Sequence, residues 1–428
     1  MRRRNSSIGR IERGKWVSKR WRQGPWSGRP TRPTNWPGAR PIPRRRLRRL
    51  VARILICYLV RHSGHHSAAC AVESALHKLD PTVETLCVDL LEYSHPKWSA
   101  ILQKTYMVTI RRTPEVWEAL YDNSFFEYLT RKIRGLIQRG NSKPLVQLME
   151  TFRPDAAICT QAHPLAVLNA YAERRNLELP LWGVVTDFIP HRFWVSKGPR
   201  IEYVVADEAA AERLVWLGIE RKSTHVMGIP IHPGFVAERK TRISREDGPR
   251  VLVMGGSRGL GARLRTIRQL DRSVQDFTID VVTGTNRRLR TKLIRHRNSF
   301  RHPIRIRGYV KDVVALMHRA SVLISKPGGL TAAEAASVGL PMLLIRPLPG
   351  QEQGNTDVLV RHGAAVHLAH DRDINPVVTT LLGNKELLTM MRERALALGK
   401  PHAALDIARH VLASLELRTK ELVGAAHV

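Results

Sequence analysis

The stretch Arg250-Val251-Leu252-Val253-Met254-Gly255-Gly256-Ser257-Arg258-Gly259-Leu260-Gly261 decides the reading of this chain. The apolar run after Arg250 predicts a buried parallel strand, because a strand covered on both faces has no polar side. The glycines after it let the backbone turn sharply and approach a phosphate, and a helix N-terminus beyond them offers free N–H groups. Alone this signal is weak, since tight strand–helix packing also calls for glycine. The Gly-Lys-Ser/Thr ending of a P-loop is missing.

The same rhythm extends outward on both sides. Downstream, apolar strands are expected at 279–283, 304–307, 322–325, 341–345 and 364–368, with amphipathic helices over 385–417 that pack on one or both halves. Upstream, 228–249 opens with Gly228-Ile229-Pro230 and turns charged, which is linker composition. Before it, strands are expected at 54–60, 82–90, 156–160, 181–186 and 203–206. A helix is expected over 67–79, and mostly helical chain over 96–150. Strands alternating with helices imply parallel doubly wound sheets. The fold class is α/β with two Rossmann-like domains, 51–240 and 241–428, consistent with a chain of 428 residues that exceeds one ordinary core.

Residues 1–50 carry seventeen Lys and Arg against one acid, Glu12, and show no periodicity. They read as a disordered basic tail or, the favoured reading, as a stretch translated upstream of the true start. The whole chain has a formal charge of +33, so the remainder is basic too and an anionic partner is expected. Cys57, Cys70, Cys87 and Cys159 form no CxxC pair and read as reduced core cysteines. The longest apolar run falls far short of the roughly 20 residues of a bilayer span, and no signal-peptide core precedes Pro43. A cytoplasmic protein, peripheral on the inner membrane face, is expected.

Ligands of open α/β sheets sit beyond the carboxyl ends of the strands, so the loops there carry the chemistry. One reads Ser325-Lys326-Pro327-Gly328-Gly329-Leu330-Thr331-Ala332-Ala333-Glu334, a second strand–glycine–helix junction. Glu334, expected in the first helical turn, suits a carboxylate that accepts both hydroxyls of a ribose. Another loop carries Gly350-Gln351-Glu352 with Asn355, groups suited to sugar hydroxyls. In the first half, Arg61-His62-Ser63-Gly64-His65-His66 offers a general base. Asp187, His191 and Trp194 follow one strand there, and His163 follows another. The spacing of His62, His65 and His66 is not that of a helix-face metal pair, and no nearby cysteine is expected to complete a site, so no metal is expected there. Asp371-Arg372-Asp373 has the Asp-x-Asp form of metal-dependent glycosyl transfer but reads as a helix cap.

Together these motifs resemble the monogalactosyldiacylglycerol synthase and processive diacylglycerol glucosyltransferase family over about 53–400, and more distantly the transferase that adds N-acetylglucosamine to the lipid-linked peptidoglycan precursor. The resemblance rests on Ser63-Gly64-His65, Thr186-Asp187-Phe188 with His191 and Trp194, Gly228-Ile229-Pro230, Met254-Gly255-Gly256-Ser257, Thr283-Gly284-Thr285-Asn286, Gly308-Tyr309-Val310, Ser325-Lys326-Pro327-Gly328-Gly329-Leu330-Thr331 with Glu334, and Pro349-Gly350-Gln351-Glu352 with Asn355. It implies a GT-B fold, two domains facing a cleft, with a UDP-sugar donor, a lipid acceptor, inversion and no catalytic metal or other cofactor. It implies His65 as base or acceptor-orienting group, with His66 and Asp187 as further catalytic candidates and His163, His191 and Trp194 on the acceptor side. Tyr309 and Val310 would meet uracil, and Glu334 the ribose. Gly256, Ser257, Asn286, Ser325, Lys326, Gly328, Gly329 and Thr331 would line the donor, with Gln351, Glu352 and Asn355 on the sugar. The family's first loop reads Gly-x-Gly-His, where this chain has His62 in place of the first glycine.

The surplus charge would then dock the first domain on an anionic leaflet through Arg111, Arg112, Arg131, Lys132, Arg134 and Arg139. Other readings on this scaffold are a UDP-sugar epimerase and an N-acetylglucosamine transferase to a polyprenyl-linked acceptor. A nucleic-acid-binding protein is suggested by charge alone, and no RNA motif supports it, so no nucleic acid is expected as partner.

Overall fold

The computed structural model describes residues 51–93, 143–196, 198, 200–237, 248–256, 259, 261, 263–348 and 350–424. The first half runs β1 (Arg53–Tyr58), α1 (Gly64–Leu79), β2 (Glu84–Asp89), α2 (Lys143–Phe152), β3 (Ala156–Cys159), α3 (Ala162–Arg174), β4 (Leu181–Val184), β5 (Ile201–Val205), α4 (Glu208–Trp216), β6 (Thr224–Val226) and the short α5 (Gly234–Ala237). The second runs β7 (Arg250–Met254), α6 (Leu264–Leu270), β8 (Thr278–Val282), α7 (Arg287–Arg295), β9 (Ile304–Arg307), α8 (Val314–Arg319), β10 (Val322–Ser325), α9 (Gly329–Ser337), β11 (Met342–Ile345), α10 (Gln351–Arg361) and β12 (Ala365–Leu368). Then follow α11 (Ile374–Gly383), α12 (Lys385–Leu398) and α13 (Ala403–Gly424).

Both sheets are parallel, in the orders β2-β1-β3-β4-β5-β6 and β12-β11-β10-β7-β8-β9. Two Rossmann-like sheets are therefore present, as the alternation of apolar strands and helices implies. The side-chain period of two explains why the strands read as unbroken apolar runs. On β1, Ile54, Ile56 and Tyr58 face α1 and α13, while Leu55 and Cys57, with Leu59 just beyond the strand, face α2 and α3. Each face is covered, so neither carries polar residues.

The short strand β6 was not anticipated. Its sequence Thr-His-Val has too little apolar character to stand out, and pairing with β5 defines it. The last helix settles which half the C-terminus joins: α13 crosses back, and Ala404, Ile407, Ala408 and Val411 pack on the first sheet's α1 face. The two halves also share a core. Phe188, Ile229, Ile231 and Phe235 of the first half pack with Leu252, Met254, Leu323 and Leu344 of the second.

Candidate functional site

Strand order reverses at two places, and in open α/β sheets those are the ligand crevices. In the first sheet the reversal lies between β1 and β3, so the loops after them meet there: 59–66 with His65, and 160–163 with His163. In the second it lies between β7 and β10, which brings Gly255, Gly256 and Gly261 beside Lys326–Gly329.

His65 is the second residue of α1. Ser63 caps that helix, its Oγ accepting from the His66 N–H at 3.2 Å. His65 Nδ1 lies 3.0 Å from the Thr160 carbonyl oxygen and 2.8 Å from Thr186 Oγ1. A carbonyl can only accept, so the contact to Thr160 requires the proton on Nδ1 and leaves a lone pair on Nε2. Thr160 in turn donates its hydroxyl to the His65 carbonyl at 2.9 Å. Burial pushes the His65 pKa below 6.5, while the Asp187 charge pulls it the other way. The imidazole is thus held neutral, in one tautomer, beside a carboxylate. Thr160 and Thr186 stand just past the ends of β3 and β4; the sequence signal for them is that strand-end placement.

Asp187 is 8% exposed, and burial raises its pKa. Its Oδ1 accepts from Asn355 Nδ2 at 2.9 Å. Asn355, wholly buried on α10, also donates to the Pro327 carbonyl at 3.0 Å, and its Oδ1 accepts from the Phe188 N–H at 2.8 Å. Gly329 opens α9 at this point, and a Cβ there would run into the Thr186 carbonyl oxygen and the Asp187 backbone. Only glycine lets the helix N-terminus come this close. The His65–Asp187 pair of the first half is therefore braced by the second.

On the donor side, Gly328 is the N-cap of α9, and open space lies where its side chain would be. Gly256 has φ +69 and likewise faces open space. Gly259 also has positive φ; a Cβ there would strike the Thr283 carbonyl, so the turn needs glycine for its close packing. Ser325 is buried at the end of β10, and Thr331 is half-buried in the first turn of α9. Glu334 lies in the second turn of α9, not the first, because the helix begins at Gly329. It is 9% exposed, and among the described residues no hydrogen bond or ion pair reaches its carboxylate. Burial pushes its pKa up to about 8. Such a group is poised for hydroxyl donors from outside.

The sign of its effect is set by linkage. Folded chains keep the Glu334 proton that unfolded chains release above about pH 4.5, so stability falls as pH rises toward 8. At 1.36 kcal/mol per unit, the loss is about 4–5 kcal/mol once pH exceeds 8. Melting of wild type and Glu334→Gln from about pH 5 to about pH 9 should show this slope in wild type alone, and UDP should shrink it. Parallel slopes in the two proteins would refute it.

Several expected donor contacts are occupied otherwise. Lys326 Nζ donates to Glu352 at 2.8–2.9 Å, and Glu352 also accepts the Leu348 N–H, so the pair ties the 348–352 loop to the entry of α9. Asn286 caps α7 through the Leu289 N–H and holds the Gly259 carbonyl. Asn355 does not reach a sugar, since its amide is spent on the brace. Gln351 opens α10, half-buried. Tyr309 is exposed, with Val310 half-buried beside it; the Tyr309 ring meets His62 edge-on at 5.5 Å. His62 has φ +63, so it adopts the left-handed backbone a glycine would favour.

On the acceptor side, Trp194 is 1% exposed inside the first core, where it cannot meet an acceptor; its carbonyl accepts from Tyr203 Oη at 2.8 Å. His191, 9% exposed, rests on Phe193 and Trp194. His163 is half-buried at the start of α3. His66 turns from the His65 pocket toward Cys70, its Nε2 3.5 Å from the sulfur. Asp371 is held by Arg346 and Thr266, and Asp373 accepts from the His370 N–H, so this Asp-x-Asp is structural. Ser257, Arg258 and the basic run 111–139 lie outside the described residues.

The family model for monogalactosyldiacylglycerol (MGDG) synthase matches residues 65–231, and that for the glycosyltransferase family 28 C-terminal domain matches 250–407. The processive diacylglycerol beta-glucosyltransferase of Bacillus licheniformis is 30% identical over 71% of this chain and 80% of its own length. The chain belongs to the MGDG synthase and processive diacylglycerol glucosyltransferase family. The Bacillus subtilis relative of the same name is 28% identical over 77% of this chain and 87% of its own length. Among solved structures, Acinetobacter baumannii MurG aligns with TM-score 0.53 and 16% identity over 84% of this chain and 99% of its own. Anabaena HepE in complex with UDP-glucose aligns with TM-score 0.51 and 10% identity over 85% and 99%. These likenesses show that the chain has the GT-B fold. It is an enzyme, a UDP-sugar-dependent hexosyltransferase acting on lipid.

Proposed function

We propose that this enzyme moves glucose from UDP-glucose to the free hydroxyl of 1,2-diacylglycerol, inverting the anomeric carbon, at an anionic membrane surface and without a catalytic metal. The observation that carries this reading is the His65 imidazole, its Nδ1 tied to Thr160 and Thr186 beside Asp187. In the proposed step Nε2 takes the acceptor proton, and Asp187 stabilises the imidazolium that forms. The acceptor oxygen attacks the anomeric carbon from the face opposite the diphosphate, which gives inversion. The leaving diphosphate gathers charge at the open N-terminus of α9, where unpaired N–H groups and the helix dipole favour an anion. Glu334 accepts from the ribose hydroxyls. Glucose is favoured because the Bacillus relatives are diacylglycerol beta-glucosyltransferases.

Support for the membrane surface is electrostatic. Between 281 and 311 the chain has ten Lys and Arg and no acid, and all ten are exposed. Arg297, Arg305 and Arg307 line a groove of about 400 Å³ with Ile294 and Ile306. Cations beside exposed aliphatic groups suit an anionic lipid interface, each near cation contributing about 1 kcal/mol. Among the described residues no helix is long and apolar enough to cross a membrane.

The test is turnover of the purified chain with UDP-glucose, UDP-galactose and UDP-N-acetylglucosamine, with and without diacylglycerol in anionic vesicles, without added Mg²⁺ or Mn²⁺. A β-glucosyl lipid made only with diacylglycerol is the expected result. An α-linked product would overturn inversion, and a product from galactose alone would overturn the donor. Salt-insensitive vesicle binding would remove the electrostatic docking.

A further inference from the structure

The fold assembles a cluster that the transfer reaction does not use. On α1, His66, Cys70 and Glu73 stand at i, i+4 and i+7 and so share one face. Opposite them is Cys87, on β2 at the edge of the first sheet. The Cys70 sulfur, the Cys87 sulfur and a Glu73 carboxylate oxygen all lie within 4.8 Å of one another. His66 Nε2 is 3.5 Å from the Cys70 sulfur.

We propose that His66, Cys70, Glu73 and Cys87 bind one thiophilic divalent ion, Zn²⁺, which ties the helix carrying His65 to the edge strand of the first sheet. Two thiolates with an imidazole and a carboxylate are the donor set of zinc; magnesium and calcium take oxygen ligands. Tetrahedral zinc, with bonds of about 2.0–2.3 Å, holds its ligand atoms about 3.3–3.8 Å apart, so Cys70, Glu73 and Cys87 close on an ion with small side-chain shifts, and His66, in contact with the Cys70 sulfur, turns its Nε2 to complete the set. A supporting shell is in place: Thr85 Oγ1 donates to Glu73 Oε1 at 2.9 Å and lies 2.8 Å from His77 Nε2. His66, Cys70, Glu73 and Cys87 are all partly exposed, which gives an ion a way in. Cys57 and Cys159 differ: they are fully buried among apolar side chains. Binding releases the thiol protons to solvent.

The site is structural, not catalytic. Successive helix residues point about 100° apart, so His65 and His66 serve different faces of α1. Residues 70 and 87 are far apart in sequence, and only the packing of α1 on β2 makes them neighbours.

The experiment needs no knowledge of the substrate. Wild-type protein, dialysed against zinc-free buffer without chelator, is assayed by mass spectrometry of the metal and by competition with a chromophoric chelator. About one zinc per chain is expected. Replacement by Co²⁺ should give a near-ultraviolet thiolate-to-cobalt charge-transfer band. Cys70→Ser and Cys87→Ser should each weaken binding at least tenfold, with UDP binding and circular dichroism retained. The proposal is overturned if wild type takes up no zinc in the competition, whatever the variants do. It is equally overturned if the serine variants keep wild-type stoichiometry. A Cys70–Cys87 disulfide in protein purified anaerobically would also overturn it and make the pair a redox couple instead.

Discussion

His65→Ala lowers kcat about 10²–10⁴-fold, the contribution of a positioned general base, while UDP affinity stays within a few-fold of wild type. The split follows from position. His65 sits at the carboxyl edge of the first sheet, and the glycine turns and Glu334 belong to the second. Single-turnover rates with UDP-glucose and diacylglycerol vesicles, beside UDP titration, check both halves. The pH profile adds a sign. Because burial holds His65 neutral to lower pH than usual, the acid limb of kcat/KM lies below pH 6.5. Full activity in His65→Ala would move the base elsewhere, and His66 is the first alternative. In that event a His66 facing Cys70 would have to turn away from it.

Asn355→Ala destabilises the fold by about 3–5 kcal/mol, as losing a partner within a buried charged network does. Three groups lose their partner together: the Asp187 carboxylate, the Phe188 N–H and the Pro327 carbonyl. Each is buried where water does not easily replace the amide, and each costs about 1–3 kcal/mol when left unmade. Gln353→Ala on the same helix is the control, since among the described residues the Gln353 side chain bonds to Asp357 at an exposed position. Chemical denaturation of the two variants measures the difference. Equal stability would show that Asn355 is no brace.

The same substitution has a kinetic consequence. Asn355 helps keep Asp187 ionised, so its loss raises the Asp187 pKa further and weakens support for the imidazolium. Residual folded Asn355→Ala should therefore show a lower kcat with the acid limb moved upward. The catalytic pair of one half thus depends on a side chain of the other.

Most of the fold was legible because a strand covered on both faces leaves a run such as Val251-Leu252-Val253-Met254, and five such runs in the first half and six in the second left little choice but parallel sheets. The exception, β6, has a sequence that its own residues do not distinguish from a loop. Glycine turns were legible too, and so was Glu334 as a lone acid in an alanine-rich helix, although the helix starts at Gly329 and places it one turn further in than expected. Partners were not. The letters of Asn355 and Trp194 suit a sugar site and an acceptor site equally with a buried brace and a core. Which applies depends on what the other half of the chain brings to within 3 Å, and hydrogen bonds between residues 168 positions apart have no periodicity to read. The same holds for Lys326 with Glu352 and for Cys70 with Cys87. Local spacing, through the alternation of strands and the turns of helices, determined the sheets and the loops that carry chemistry. Only the tertiary structure decided which of those side chains remain available to a ligand, because availability is what is left after packing and pairing have taken their share.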